Sequence, residues 1–280
     1  MEKHIAINQL PIGVFDSGLG GLTILRELVN HLPNESYIYL GDTARLSYGT
    51  KSRETVKRYA IQMTSLLVAQ GIKLLVVACN TASTVALPFL KMQFPNIPII
   101  GVVEPGAQAT VSTTKNNRVI LLATEATIQS GVYQKTILTL NPKIKIRSQT
   151  CGLFVALAEE GCIDNEIATL VIKKYLDPII NDHHRCDSII LGCTHFPVFI
   201  DSLTMILGNG INIIDAATET AMAVKSITQK MNLENTNQSS QLTFLVTDSP
   251  KRFTRIGEIF LGQRIDSSLL HLIDGIKLSQ

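Results

Sequence analysis

Two cysteines in this chain stand where a thiol could do chemistry. Cys79 closes an apolar run in LLVVACNTAS (Leu74 to Ser83), and Cys193 closes another in SIILGCTHFP (Ser188 to Pro197). Packing is the ordinary fate of such a cysteine, because free Cys is among the most buried residue types. Packing gives no reason for the polar residues that follow at once: Asn80, Thr81 and Ser83 after the first thiol, Thr194 and His195 after the second. Where a strand gives way to a polar turn and a helix start, the free N–H groups would stabilise a thiolate and bind a carboxylate. Two cysteines with the same surroundings point to a pair of catalytic thiols.

Elements able to bring them together are legible. Short β-branched runs read as strands at Ile12 to Phe15, Ser36 to Leu40, Leu74 to Ala78, Pro98 to Val102, Val119 to Leu122, Lys143 to Arg147, Ser188 to Leu191, Asn212 to Ile214 and Leu242 to Val246. Helical patterns fill Leu22 to Asn30, Ser52 to Gln70, Ala82 to Met92, Gly131 to Leu140, Phe154 to Glu160, Asn165 to Asn181 and Thr218 to Met231. Strand and helix alternate, as in α/β proteins with parallel sheets. A weak repeat divides the chain: IGVFDSG and LLVVACNTAS are echoed by VILLATEAT and SIILGCTHFP. Sixty-three residues separate Asp16 from Cys79, and sixty-nine separate Thr124 from Cys193. The expected architecture is two similar parallel-sheet α/β units facing each other, because open α/β sheets bind ligands beyond their strand ends.

Composition narrows the function. The 280 residues are 45% hydrophobic with a net charge of +2, enough for two cores and without a basic stripe for nucleic acid. The start, MEKHIAINQL, does not read as a signal peptide, and no apolar run approaches the roughly 20 residues of a membrane span, so the expected location is the cytoplasm. Five cysteines at 79, 151, 162, 186 and 193 lack zinc-site spacing, and a reducing compartment would keep them as thiols. DHHRC (Asp182 to Cys186) lacks a second ligand pair, so no metal is expected. Cys151 and Cys162 read as packing residues, and NLENTNQSSQ (Asn232 to Gln241) as an exposed loop. DSGLGG (Asp16 to Gly21) opens a helix, yet it has neither of the usual nucleotide-loop spacings.

Taken in order, DSGLGG, GDTAR with Tyr48-Gly49, ACNTAS, VEPG (Val103 to Gly106), ATEATIQSGVY (Ala123 to Tyr133), CGLFVALAE (Cys151 to Glu159) and LGCTHFP make the chain resemble the glutamate racemases over residues 11 to 217. These enzymes interconvert L- and D-glutamate without a cofactor and supply D-glutamate for peptidoglycan. The resemblance implies two α/β domains around a cleft, residues 1–104 plus 217–280 and residues 105–216. It implies Cys79 and Cys193 as the acid/base thiols, with Asp16, Glu159 and His195 assisting. It places Asp16, Ser17, Tyr48, Gly49, Asn80, Thr81, Thr194 and His195 against the amino acid, with Thr124 and Thr127 nearby. Glutamate is then the small-molecule partner and a homodimer the expected assembly. Proton removal from one face of the α-carbon and return to the other needs one thiolate and one thiol. Asp16 would adjust Cys79 or take the ammonium proton, and the sequence leaves both roles open. Ser47, Gly152 and Ala156 stand where the family commonly has proline, which should loosen those loops. A racemase of aspartate or another amino acid, or a two-lobed binding protein, are the rival readings.

Overall fold

The computed structural model describes residues 6–180, 186–236 and 240–274. Ten strands are found among them: β1 (Ile12–Asp16), β2 (Tyr37–Gly41), β3 (Leu74–Val77), β4 (Ile99–Gly101), β5 (Arg118–Ala123), β6 (Lys145–Thr150), β7 (Ser188–Gly192), β8 (Asn212–Ile214), β9 (Leu242–Val246) and β10 (Leu270–Leu272). They form two all-parallel sheets, a six-stranded one in the order β10-β9-β2-β1-β3-β4 and a four-stranded one in the order β6-β5-β7-β8. Strands β1 and β7 are buried along their whole length, as expected where helices cover both faces of a parallel sheet.

The weak sequence repeat is a repeat of topology. β2-β1-β3-β4 and β6-β5-β7-β8 are the same arrangement, with β1 matching β5 and β3 matching β7. In each sheet the first strand of the unit pairs with the strand that leads to a cysteine. Connections leave these two strands toward opposite sides, so a crevice opens beyond their carboxyl ends.

Twelve helices pack around the sheets among the described residues. Those preceding the midpoint are α1 (Leu22–His31), α2 (Arg53–Ala69), α3 (Asn80–Val85), α4 (Leu87–Gln93), α5 (Val103–Thr113), α6 (Glu125–Ser130) and α7 (Val132–Leu140). The rest are α8 (Gly152–Glu159), α9 (Glu166–Ile180), α10 (Ile200–Leu207), α11 (Ala217–Lys230) and α12 (Pro250–Leu261). Ser52 caps α2, its hydroxyl accepting from Thr55 N at 3.3 Å, and Val56, Ala60, Met63 and Leu67 form the buried stripe. The largest apolar cluster runs through both halves, joining Leu22 and Val76 to Phe154, Phe196 and Phe260.

Several expectations are corrected. The helix expected over Ala82 to Met92 is two, α3 and α4, broken at Ala86, with Pro88 in the first turn of the second. The strand expected at Lys143 to Arg147 lies at Lys145–Thr150. Helices α5, α6, α10 and α12 and strand β10 add to the elements read from the sequence. The stretch Asn232 to Gln241 is not wholly exposed: Asn235 is buried, its N donating to Glu35 Oε1 at 2.9 Å and its Nδ2 to Asn34 O at 2.9 Å. Residues 237–239 of that stretch, Asn181 at the end of the helix expected over Asn165 to Asn181, and residues 182–185 of DHHRC lie outside the described residues.

Glu35 also forms a buried ion pair with Lys73, whose Nζ donates to Asn8 O at 2.7 Å. This pair ties four segments together at the amino ends of β1, β2 and β3. Lys73→Met would leave the Glu35 carboxylate buried without its counter-charge, a change that costs about 3–5 kcal/mol. Urea unfolding of the variant should show a loss of that size.

Candidate active site

The first half supplies Asp16, Ser17 and Cys79. Asp16 is the last residue of β1 and is fully buried. Its Oδ2 accepts from Gly18 N at 2.9 Å, and its Oδ1 accepts from Thr194 Oγ1 at 3.4 Å. Burial pushes its carboxyl up, against the opposing pull of the His195 charge and of the Gly21 and Gly18 N–H groups. Cys79 follows β3 and caps α3: Ala82 N donates to Sγ at 3.4 Å, and the Ser17 hydroxyl, its Oγ 3.4 Å from Sγ, is placed to donate to a thiolate. These contacts favour a thiolate but lose to the surroundings. Burial first, and the Asp16 charge second, push the Cys79 thiol up to about 12. The helix start expected to activate it belongs to a helix of only six residues.

The second half supplies Cys193, Thr194, His195 and Glu159. No α-helix begins at Cys193. A 3₁₀ turn at Phe196–Phe199, with Pro197 in it, separates the cysteine from α10. An imidazole stands there in place of helix N–H groups. His195 Nδ1 lies 3.9 Å from Cys193 Sγ, and Nε2 lies 2.9 Å from Glu159 Oε1. Burial favours the neutral ring, yet hydrogen bonds and charge from Cys193 and Glu159 outweigh it and raise His195 to about 10. The two cysteines are therefore unequal, one held as a thiol and one facing a cation.

Two side chains of α12 and one glycine of the DSGLGG loop hold this dyad in place. Arg252, on α12, places Nη2 3.7 Å from Glu159 Oε2 and 3.0 Å from Glu160 Oε1, and donates to Glu159 O at 3.3 Å. Phe260, also on α12, packs edge-on to the His195 ring with centroids 5.3 Å apart. On the other side, Gly20 comes so close that an added Cβ would lie 2.4 Å from Thr194 Oγ1 and 2.5 Å from His195 Nδ1. Of the adjacent glutamates, Glu159 is buried and faces the imidazole, while the Glu160 side chain is 65% exposed.

Thr81, Thr124 and Thr127 close a triangle of hydroxyls across the two halves, with edges of 3.0, 3.1 and 3.0 Å. Thr127 is fully buried behind the other two. Asn80 and Thr81 are buried beside Cys79 at the start of α3. Tyr48 is turned away: its hydroxyl donates to Asp42, and its ring packs on Phe15 and Tyr59. Gly49 borders the cleft through its main chain, and its N–H donates to Ser47 Oγ at 3.1 Å. A cavity between the halves is lined by Ser47, Gly49, Thr124, Gly152, Ala156 and Glu159, so all three positions expected to carry proline face the same opening. Cys151 is in the core and Cys162 is half-buried. Among the described residues no cluster of His, Cys, Asp and Glu could hold a metal, and no helix is long and apolar enough to cross a membrane.

Residues 12–225 match the family model described as Asp/Glu/Hydantoin racemase. A glutamate racemase of Geobacter metallireducens is 45% identical over 255 residues, covering 91% of this chain and 93% of that protein. The crystal structure of a glutamate racemase from Francisella tularensis in complex with D-glutamate superposes with a TM-score of 0.89 at 38% identity, over 96% of this chain and 99% of that one. A glutamate racemase isoform from Bacillus anthracis also gives 0.89, at 35% identity over 95% and 98% of the two chains.

The Gly20 contact yields a test. Gly20→Ala should push the imidazole away from Cys193 and remove the cation beside its sulfur. Alkylation of Cys193 by iodoacetamide at neutral pH, followed by mass spectrometry, should then slow by roughly tenfold.

Proposed function

Because the chain belongs to the Asp/Glu/hydantoin racemase family, we propose that it interconverts L- and D-glutamate by a two-thiol mechanism and supplies D-glutamate for peptidoglycan synthesis. One observation supports the mechanism above all. Cys79 and Cys193 follow equivalent strands of two four-stranded units, β2-β1-β3-β4 and β6-β5-β7-β8, and each has its own proton-handling neighbours.

In this reading the free enzyme holds Cys193 as thiolate against the His195 imidazolium, and Cys79 as thiol. L-glutamate presents its α-proton to Cys193. Sulfur takes the proton, the electron pair stays on the α-carbon and is delocalised into the carboxylate, and Cys79 delivers its own proton to the opposite face. D-glutamate leaves, with Cys79 now the thiolate; the reverse direction starts from that form. Glu159 holds the imidazole through Nε2, so that Nδ1 stays aimed at sulfur, and Arg252 holds Glu159. Asp16 receives the substrate ammonium, a cation that offsets the charge it otherwise sets against a Cys79 thiolate. Ser17, Asn80, Thr81, Thr124 and Thr194 offer neutral donors for the two carboxylates, and Gly49 and the Tyr48 main chain close the wall. Thr127 orients the other two threonines. The thiols account for the proton transfers without a cofactor.

On the same family ground we place the domain division at residues 1–104 plus 217–280 against 105–216, with the change of domain in the first turn of α5. The assembly we propose is a cytoplasmic homodimer.

Labelling tests the mechanism. In D2O the wild-type protein should racemise glutamate and exchange its α-hydrogen; inactivity on glutamate with activity on aspartate would overturn the substrate assignment. Cys193→Ala and Cys79→Ala should each lose racemisation by at least about 10²- to 10⁴-fold. Any residual exchange should label only D-glutamate in Cys193→Ala and only L-glutamate in Cys79→Ala.

The pH dependence follows from His195. Its folded value, about 10, lies above the ordinary 6.5, so the protonated ring is favoured by folding. That contribution to stability is complete below pH 6.5 and is lost as the pH rises through about 10. kcat/KM should be bell-shaped, with an alkaline limb near pH 10 that belongs to the Cys193–His195 pair as a unit. In His195→Asn that limb should be absent from a kcat/KM titration.

A further inference from the structure

Tyr133 lies in the first turn of α7 in the second half, and its side chain is wholly buried. Its hydroxyl donates to Asn80 Oδ1 at 2.5 Å, so the bond crosses from one half to the other and ends on the residue next to Cys79. Asn80 is itself 95% buried, at 5% exposure. Among the described residues no acceptor takes its Nδ2 hydrogens, and Asn80 Oδ1 is the acceptor that the Tyr133 hydroxyl reaches.

A side-chain amide can turn either its carbonyl or its NH2 group toward a ligand. Here the choice is made from behind. Burial raises Tyr133 far above the ordinary phenol value, so its hydroxyl keeps its proton. Flipping Asn80 would leave that buried hydrogen without an acceptor and turn a carbonyl oxygen toward an anion. Gly106 keeps the space tight, since a Cβ there would lie 3.4 Å from the Tyr133 hydroxyl and 3.1 Å from Ala216 Cβ.

We propose that Tyr133 is a positioning residue that locks the Asn80 amide with its two N–H donors facing a carboxylate of the substrate. The inference rests on the glutamate reading and adds to it a residue outside the cleft that sets the polarity of one wall. It also explains why the carboxylate site needs both halves: the donor belongs to one and its orientation to the other.

Kinetics of the wild-type protein, Tyr133→Phe, Asn80→Ala and the double variant test this, with thermal stability measured in parallel. Tyr133→Phe should raise KM for both enantiomers by roughly tenfold, the usual scale of one lost hydrogen bond with its orienting effect, and change kcat less. In the Asn80→Ala background the same substitution should change nothing further. An unchanged KM in Tyr133→Phe, or effects that multiply in the double variant, would overturn the proposal. A second measurement needs no variant at Tyr133: in ¹⁵N-labelled wild-type protein, with Asn80→Ala used only for assignment, the Asn80 side-chain amide signals should shift when D-glutamate is added. Signals that stay fixed under saturating D-glutamate would overturn it as well. A wild-type protein inactive on glutamate overturns the functional reading instead, and an active one with unchanged KM in Tyr133→Phe overturns only the positioning role.

Discussion

The contact on which the rest of the site depends is one where a side chain is missing. At Gly20 the backbone of the loop after β1 lies against Thr194 and His195 of the opposite half, at distances no Cβ could occupy. Thr23 reinforces the approach, its hydroxyl reaching Gly20 O at 2.9 Å and Thr194 O at 3.4 Å. The same loop begins at Ser17, directly after Asp16 at the end of β1. Two loops that come from different sheets, and are separated by more than 170 residues of chain, therefore form one surface. Tight apolar packing under them, continuous through both halves, resists sliding of one half over the other.

Nearly symmetrical sheets then hold an unsymmetrical pair of sulfurs. Topology places a cysteine beyond the third strand of each four-stranded unit, but the neighbours differ in kind. Around Cys79 they are a hydroxyl, a backbone N–H and a carboxylate; around Cys193, an imidazole braced by a second carboxylate and an arginine. With two identical pockets, both thiols would resist ionisation or both would yield to it. Unequal pockets let one proton reside on a defined side, which is what a reaction with one thiol and one thiolate requires.

Much of this was legible because the chemistry is concentrated in short strings. Cys79 and Cys193 were visible as thiols followed by polar residues, and Asp16 as a carboxylate at a strand end. The repeat was visible from spacing alone, and it proved to be a repeat of strand order. Glu159 could be separated from Glu160 only by the family motif, since helix ends with two glutamates are ordinary. Arg252 could not be found at all: one arginine on an amphipathic helix has no sequence mark, and its partners lie more than 90 residues away. The helix that carries it did leave a signal, with Phe253, Ile256, Phe260 and Leu261 at helical spacing and Gly262 left-handed after the last turn. Helix α5 was hidden by Pro105 and Gly106 near its start, and β10 by its three-residue length. Tyr48 reads as a polar wall residue until its hydroxyl is seen to be taken by Asp42.

The return of the chain to its first half has a consequence for the order in which the protein is made. β9 lies beside β2, pairing residues such as Tyr37 with Leu242, and α12 follows it to supply Arg252 and Phe260. The four-stranded sheet, by contrast, is complete once residue 214 has been synthesised. During translation, which proceeds from the amino end, the smaller sheet can close while β2 still waits for its neighbour. The bracing of Glu159 thus arrives last, delivered by residues from the final tenth or so of the chain, and a ribosome-bound intermediate carries both thiols well before it carries the arginine behind the His195–Glu159 contact.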